Sequence, residues 1–154
     1  MAATYKINDD FYDESFSLIA LHTTLEDFAL AYGLNQSIKA KFVRAKKNFN
    51  LAENNSFPIF EWEDEYNDMY WVLIANHSSE KELIVRDDLF KNESTYKTPR
   101  LLPEYKDVDY LLKIETEKGF DINSLIKNIL MLPKVMAAYE ISIDKLKSKN
   151  NLIF

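Results

Sequence analysis

Apolar residues crowd into short runs along this chain, and the spacing within each run predicts its element. Phe16 to His22 (FSLIALH) is almost continuously apolar, as a buried strand would be. Thr24-Leu25-Glu26-Asp27 follows with a hydroxyl and, within three residues, an acid, a capping-box-like start for a helix. Leu25, Phe28, Ala29 and Tyr32 recur at helical spacing as its expected buried face, with Gly33 or Asn35 as the left-handed residue that ends it. Lys41 to Lys47 alternates weakly as a strand, Phe42 sharing a side with Arg44. Phe57 to Trp62 and Met69 to Asn76 read as two arms of an antiparallel hairpin around the polar tip from Glu63 to Asp68. Glu82 to Leu89 suggests one further short strand, and Lys91 to Arg100 a polar loop. Val108 to Glu115 is a strand entered through Pro103, which fixes its own backbone and keeps Leu102 out of the helical region. Ile122, Leu125, Ile126, Ile129 and Leu130 form a helical stripe capped by Asp121 or Asn123 and stopped by Pro133; Val135 to Ile143 is the last strand.

This order gives two β-α-β passages, 16–47 and 108–143, separated by a β-rich insert at 57–100 and followed by a tail at 144–154. The expected class is α+β: one domain over 1–154, with an antiparallel or mixed sheet and two helices on one face. A ferredoxin-like plait with extra strands is the simplest version. The second half also resembles small-ligand regulatory domains of the ACT type, through the helix–proline turn–strand succession at Leu132-Pro133-Lys134-Val135.

Composition narrows the function classes. Hydrophobic residues make up 47% of 154 positions and aromatics 14%, enough to offset the entropy lost on folding. A net charge of −6 argues against a whole-surface attraction to nucleic acid or anionic lipid. Without cysteine there are no disulfides, thiolate metal sites or cysteine nucleophiles. Two glycines, Gly33 and Gly119, cannot write a phosphate-binding loop or a dinucleotide fingerprint. The stretch from Met1 to Glu14 is acidic and lacks an apolar run, unlike a secretory signal, so a cytoplasmic location off the membrane is expected.

The most distinctive segment is Leu102-Pro103-Glu104-Tyr105-Lys106-Asp107-Val108-Asp109-Tyr110. It resembles the signature of a family of the Bacteroidota named for the pattern Ile-Pro-Glu-x-x-x-Val-Asp-Tyr, with Leu102 in place of Ile. The chain end, Lys145-Leu146-Lys147-Ser148-Lys149-Asn150-Asn151-Leu152-Ile153-Phe154, resembles the same family. The resemblance implies no activity. Read from its residues, the motif is a rigid approach to a strand, with Val108 and Tyr110 entering the core. Its functional alternative is a fixed loop presenting Glu104, Tyr105 and Asp109 to a partner.

Other clusters carry weaker expectations. Glu61, Glu63, Asp64, Glu65 and Asp68 lack the glycine and spacing of a calcium loop and read as a solvated turn. Lys41, Arg44, Lys46 and Lys47, interleaved with Phe42 and Phe49, are the candidate RNA-contacting strip, although RNA is a disfavoured partner for so acidic a chain. His22 and His77 have no evident metal co-ligands, and no catalytic residue, metal or cofactor is expected. Leu152, Ile153 and Phe154 either pack on their own domain or dock into a partner with help from Lys145, Lys147 and Lys149. The expected function is a non-enzymatic interaction or adaptor module with a protein partner, a second copy of the chain included. An ACT-like ligand-responsive domain and an RNA-binding accessory protein are the alternatives.

Overall fold

Strand β1 (Phe16–Thr23) forms where the first apolar run predicts it, and it lies inside the sheet with neighbours on both sides. The computed structural model describes residues 16–52, 55–78, 82–85, 94–97 and 99–154. The acidic stretch Met1 to Glu14 therefore lies outside the described residues. The chain is α+β, with a six-stranded antiparallel sheet and two helices. After β1 come helix α1 (Asp27–Ser37), β2 (Val43–Arg44), β3 (Phe49–Ala52), β4 (Asn55–Phe57), β5 (Ile59–Asp64) and β6 (Met69–Ala75). They are followed by β7 (Glu82–Val85), β8 (Ser94–Lys97), β9 (Tyr110–Thr116), helix α2 (Ile122–Leu130) and β10 (Val135–Ile141). The main sheet runs β10-β1-β9-β6-β5-β2, and two separate hairpins pair β3 with β4 and β7 with β8. Since β9 and β10 are both antiparallel to β1, they run parallel to each other, joined over β1 by α2.

Both faces of this sheet are covered, which explains why its central strands read as unbroken apolar runs. Ile19, Leu21, Trp71, Leu73, Leu112 and Ile114 point to one side, against Leu30, Ala31 and Leu34 of α1 and Ile129 of α2. Leu18, Ala20, Val72, Ile74, Leu111 and Ile141 point to the other, against Leu101, Leu102, Val108, Leu146 and Leu152. Helices therefore share one face, while irregular segments from the motif and the C-terminal region cover the second. No helix among the described residues is long and apolar enough to cross a membrane.

Several expectations are corrected. Helix α1 buries Leu30, Ala31 and Leu34, not Phe28 and Tyr32, which are 62% and 68% exposed. The run Phe28-Ala29-Leu30-Ala31-Tyr32-Gly33-Leu34 is apolar on every side, so its spacing selects no face, and the sheet receives the leucines. The helix starts from Glu26 and passes through Gly33 and Asn35 to Ser37; the left-handed residue beyond it is Lys39, with φ 56°. Asn35 instead holds the returning chain, accepting Phe42 N–H at 2.8 Å and donating to its carbonyl at 3.2 Å. The strand expected over Lys41 to Lys47 shrinks to two residues on the outer edge, beside β5. Pro58 divides the run from Phe57 to Trp62 between β4 and β5, as a residue without an N–H would. Within the expected loop from Lys91 to Arg100, Ser94–Lys97 is a strand paired to β7; the rest of Glu82 to Leu89 beyond Val85 lies outside the described residues.

Candidate functional site

Pro103 opens a single 3-10 turn, Pro103–Tyr105, and the chain then runs through a second turn, where Val108 N–H donates to the Tyr105 carbonyl, before entering β9. What holds this segment is a residue outside it. Asn76, fully buried at the end of β6, accepts Leu102 N–H at 2.8 Å and donates from Nδ2 to the carbonyls of Tyr105 at 2.9 Å and Val108 at 3.0 Å. Its backbone adds two bonds, donating to the Asp109 carbonyl and accepting from Leu101 N–H. A buried amide with both ends satisfied is a specific clamp, because any other side chain would leave backbone groups unpaired.

Each candidate in the motif then has a definite place. The Glu104 side chain is exposed, but its Oε2 accepts Lys147 N–H at 2.8 Å and Ser148 N–H at 3.2 Å, tying the C-terminal segment to the turn. Burial raises its carboxyl pKa, yet hydrogen bonds from the Ser148 side chain and the Lys147 and Ser148 backbone outweigh it, so the group lies below its ordinary value. Tyr105 is half-buried against the second core face. Asp109 Oδ2 accepts Thr23 N–H at 2.9 Å at the end of β1, and Oδ1 stands 4.0 Å from His77 Nε2. Tyr110 donates its hydroxyl to the Leu25 carbonyl at 2.8 Å; burial, with Asp27, Asp109 and Glu26 nearby, pushes its pKa to about 12.

His77 titrates below its ordinary value because burial and the Arg100 charge outweigh the attraction of Asp109. A neutral imidazole beside a carboxylate is the pairing that general bases use. Here the separation exceeds a hydrogen bond, and Thr23 commits its hydroxyl proton to the Lys134 carbonyl at 2.8 Å. The arrangement braces the ends of β1, β6 and β9. His22, at the other histidine position, bonds the Tyr139 hydroxyl at 2.9 Å across the β1–β10 pair.

The C-terminal candidates separate from one another. Leu152 is buried, Phe154 is half-buried with its ring 5.0 Å from that of Phe49, and Ile153 is 68% exposed. Lys113, buried on β9, donates to the Leu152 carbonyl at 2.7 Å, pairs with Glu115 at 3.0 Å and sits 4.7 and 4.8 Å from the ring centres of Phe16 and Phe154. Cation–π contact on both sides suits a desolvated ammonium. Asn151 adds a bond to the Leu101 carbonyl at 2.9 Å. The segment is thus seated on its own domain.

In the basic strip Lys41, Lys46 and Lys47 are exposed, while Arg44 bonds Asn48 and the Ala45 carbonyl. Its aromatics face inward: Phe42 packs edge-on to Trp62 and Trp71, and Phe49 packs on Phe57 and Phe154. No ring is offered there for a base to stack on. In the acidic hairpin, Asp64 is buried and accepts Asn67 N–H and Nδ2, shaping the turn around the left-handed Asp68. Burial and Glu61 raise the adjacent Tyr70 to about 12.

The surface that sequence reasoning missed is the outside of the helical layer. Phe28 and Tyr32 stand one turn apart on α1, and the turn after α2 exposes Met131 at 80%. Two contacts bring the turn after α2 against α1: the Leu132 side chain lies 3.3 Å from where a Cβ on Gly33 would stand, and Thr23 bonds Lys134 beside the start of α1. Met136 on β10, an edge strand of the sheet among the described residues, is also exposed. The signal available beforehand was the surplus of apolar residues around α1, more than one face can bury. Comparisons with family models, with curated proteins and with solved structures return no match for this chain.

Proposed function

We propose that this protein is a non-enzymatic interaction module whose contact face is the outer surface of the helical layer, and that it engages a second copy of itself there. The observation that carries the reading is the exposure of Phe28 and Tyr32 on successive turns of α1, with Met131 exposed on the turn after α2 that packs against the same helix. Aromatics and methionine are the residues enriched at the centres of protein interfaces, and a contiguous exposed apolar patch marks such sites. Glu26 and Asp27 lie at one end of the patch, while Lys127 lies one turn back from Met131 on α2. A two-fold axis through the patch repeats this pattern on both partners, allowing acid to meet base. Against a catalytic role for the motif, the Glu104 and Asp109 carboxylates are occupied by backbone N–H groups.

We also read the order β10-β1-β9-β6 as a ferredoxin-like plait elaborated by β2–β5 and β7–β8. Supporting this, the β1-to-β6 and β9-to-β10 passages each carry a helix and skip one antiparallel strand, and both helices fall on one face. The Leu102–Tyr110 segment is read as a fold signature of the family it resembles. Pro103, Glu104, Val108, Asp109 and Tyr110 each have a bracing role, whereas of the three unspecified positions Lys106 and Asp107 are exposed and Tyr105 is half-buried.

Light scattering across a concentration series tests self-association. The wild type is expected to move from monomer to dimer in the micromolar range, and Phe28→Ser with Tyr32→Ser to stay monomeric with an unchanged circular dichroism spectrum. A wild type monomeric at every concentration, or a double variant that still dimerises, would overturn the reading.

A further inference from the structure

An exposed acid and an exposed base stand toward opposite ends of the helical layer, which gives that face a direction. Helix α1 starts from Glu26, which is exposed. Helix α2 runs back along it: Ser37 and Ile38 at the end of α1 share a cleft with Asp121, Ser124 and Leu125 at the start of α2. The turn after α2 then reaches Gly33 through Leu132, and the entry to α1 through the Lys134 carbonyl, which accepts from the Thr23 hydroxyl. Lys127 therefore stands beside the closing half of α1, away from Glu26. Its side chain also faces outward. Ile122, Leu125, Ile126 and Ile129 pack on the core, and at about 3.6 residues per turn Lys127 falls on the opposite side of the helix, where it is exposed.

Neither Glu26 nor Lys127 forms an ion pair among the described residues, and Lys134, at the Glu26 end, makes none with it. The neighbouring acids already hold backbone groups: Asp27 accepts Phe28 N–H and Asp121 accepts Ser124 N–H. A second copy then meets this face in one of two ways, because a two-fold axis in the contact plane runs close to along α1 or close to across it. Along α1, the helices are parallel and each end meets itself, so Glu26 faces Glu26 and Lys127 faces Lys127. Across α1, the helices are antiparallel, the ends exchange, and each Glu26 comes over Lys127 of the other copy. Juxtaposed like charges reject an arrangement that opposite charges favour.

We propose that the second copy packs with its α1 antiparallel, held in that orientation by two symmetry-related Glu26–Lys127 pairs across the interface. This rests on the self-association reading and adds the residues that select the geometry: Phe28 and Tyr32 supply apolar contact, and the charge pairs exclude the parallel alternative. Charge reversal tests it. Glu26→Lys and Lys127→Glu each place like charges at both pairs of the homodimer and should weaken it roughly tenfold. An equimolar mixture of the two variants contains a heterodimer with only opposite pairs, which should recover wild-type affinity; native mass spectrometry with one variant isotope-labelled counts it. The chain carrying both changes bears both local costs to its helices yet restores the pairs, so it should dimerise as the wild type does. High salt should shrink all of these differences. A wild type that dimerises while both reversals are indifferent, or a mixture no tighter than its components, would overturn the orientation and leave self-association standing. A wild type that never dimerises would overturn both.

Discussion

Asn76 replaces a patch of regular sheet with one side chain. Its carboxamide satisfies an N–H and two carbonyls that the irregular Leu102–Val108 segment would otherwise bury unpaired. Asn76→Ala should therefore cost about 3 kcal/mol or more, read from urea midpoints at constant slope. Asn76→Asp should cost at least as much, since it sets a carboxylate oxygen against the two carbonyls. Glu104 gives a pH-dependent counterpart. Its folded pKa is depressed, so its contribution is complete above the unfolded value of 4.5 and disappears as pH falls through the lower folded value. Glu104→Gln should be less stable than wild type at pH 7, and the difference should shrink as pH falls below the unfolded value; a gap independent of pH would refute a role for the charge. The motif itself was readable from the chain, because proline and acids at that spacing announce a shaped approach to a strand. Asn76 was not readable, since an asparagine after an apolar run looks like the end of a strand. The sequence separation of 43 between Glu104 and Lys147 likewise hid their bond.

At the level of elements, the chain read well where one periodicity dominated. Helix α2 turns Ile122, Leu125, Ile126 and Ile129 of its stripe toward the core while Leu130 is exposed, and it has the Asp121 cap that its sequence announces, with Asp121 Oδ1 accepting Ser124 N–H at 3.1 Å. Helix α1 misled because an all-apolar run lets tertiary contacts choose the buried side. Strand β3 was missed because Phe49–Ala52 is held by a partner hairpin strand and by Phe154, neither of which leaves a local pattern. The segment after β10 shows how differently adjacent residues can act. Leu152 sits among Leu101, Leu102 and Ile141, so Leu152→Ala should cost about 2–4 kcal/mol. Ile153→Ala, at an exposed site, should stay within about 0.5 kcal/mol. Equal effects in denaturant titration would mean that the segment does not seat as described.

For the molecule as a whole, the sheet divides two kinds of construction. Two helices close one side with few long-range hydrogen bonds. The opposite side is assembled from the motif, Asn76, Lys113 and the C-terminal segment through contacts between residues far apart in sequence. Such topology predicts slow folding, because loop-closure entropy is lost before distant contacts can compensate for it. Stopped-flow tryptophan fluorescence should find refolding in milliseconds to seconds, and a microsecond phase carrying the full amplitude would contradict this. The central place of β1 has a further consequence during synthesis. Both of its edges await β9 and β10, the nearer of which begins at Tyr110. At about 5–20 residues per second, a ribosome needs roughly 5–20 s to cover that distance. Throughout that interval Leu18-Ile19-Ala20-Leu21 is an unpaired apolar strand, the type of segment that chaperones shield, so expression yield should depend on translation speed between β1 and β9 more than on the stability of the finished domain.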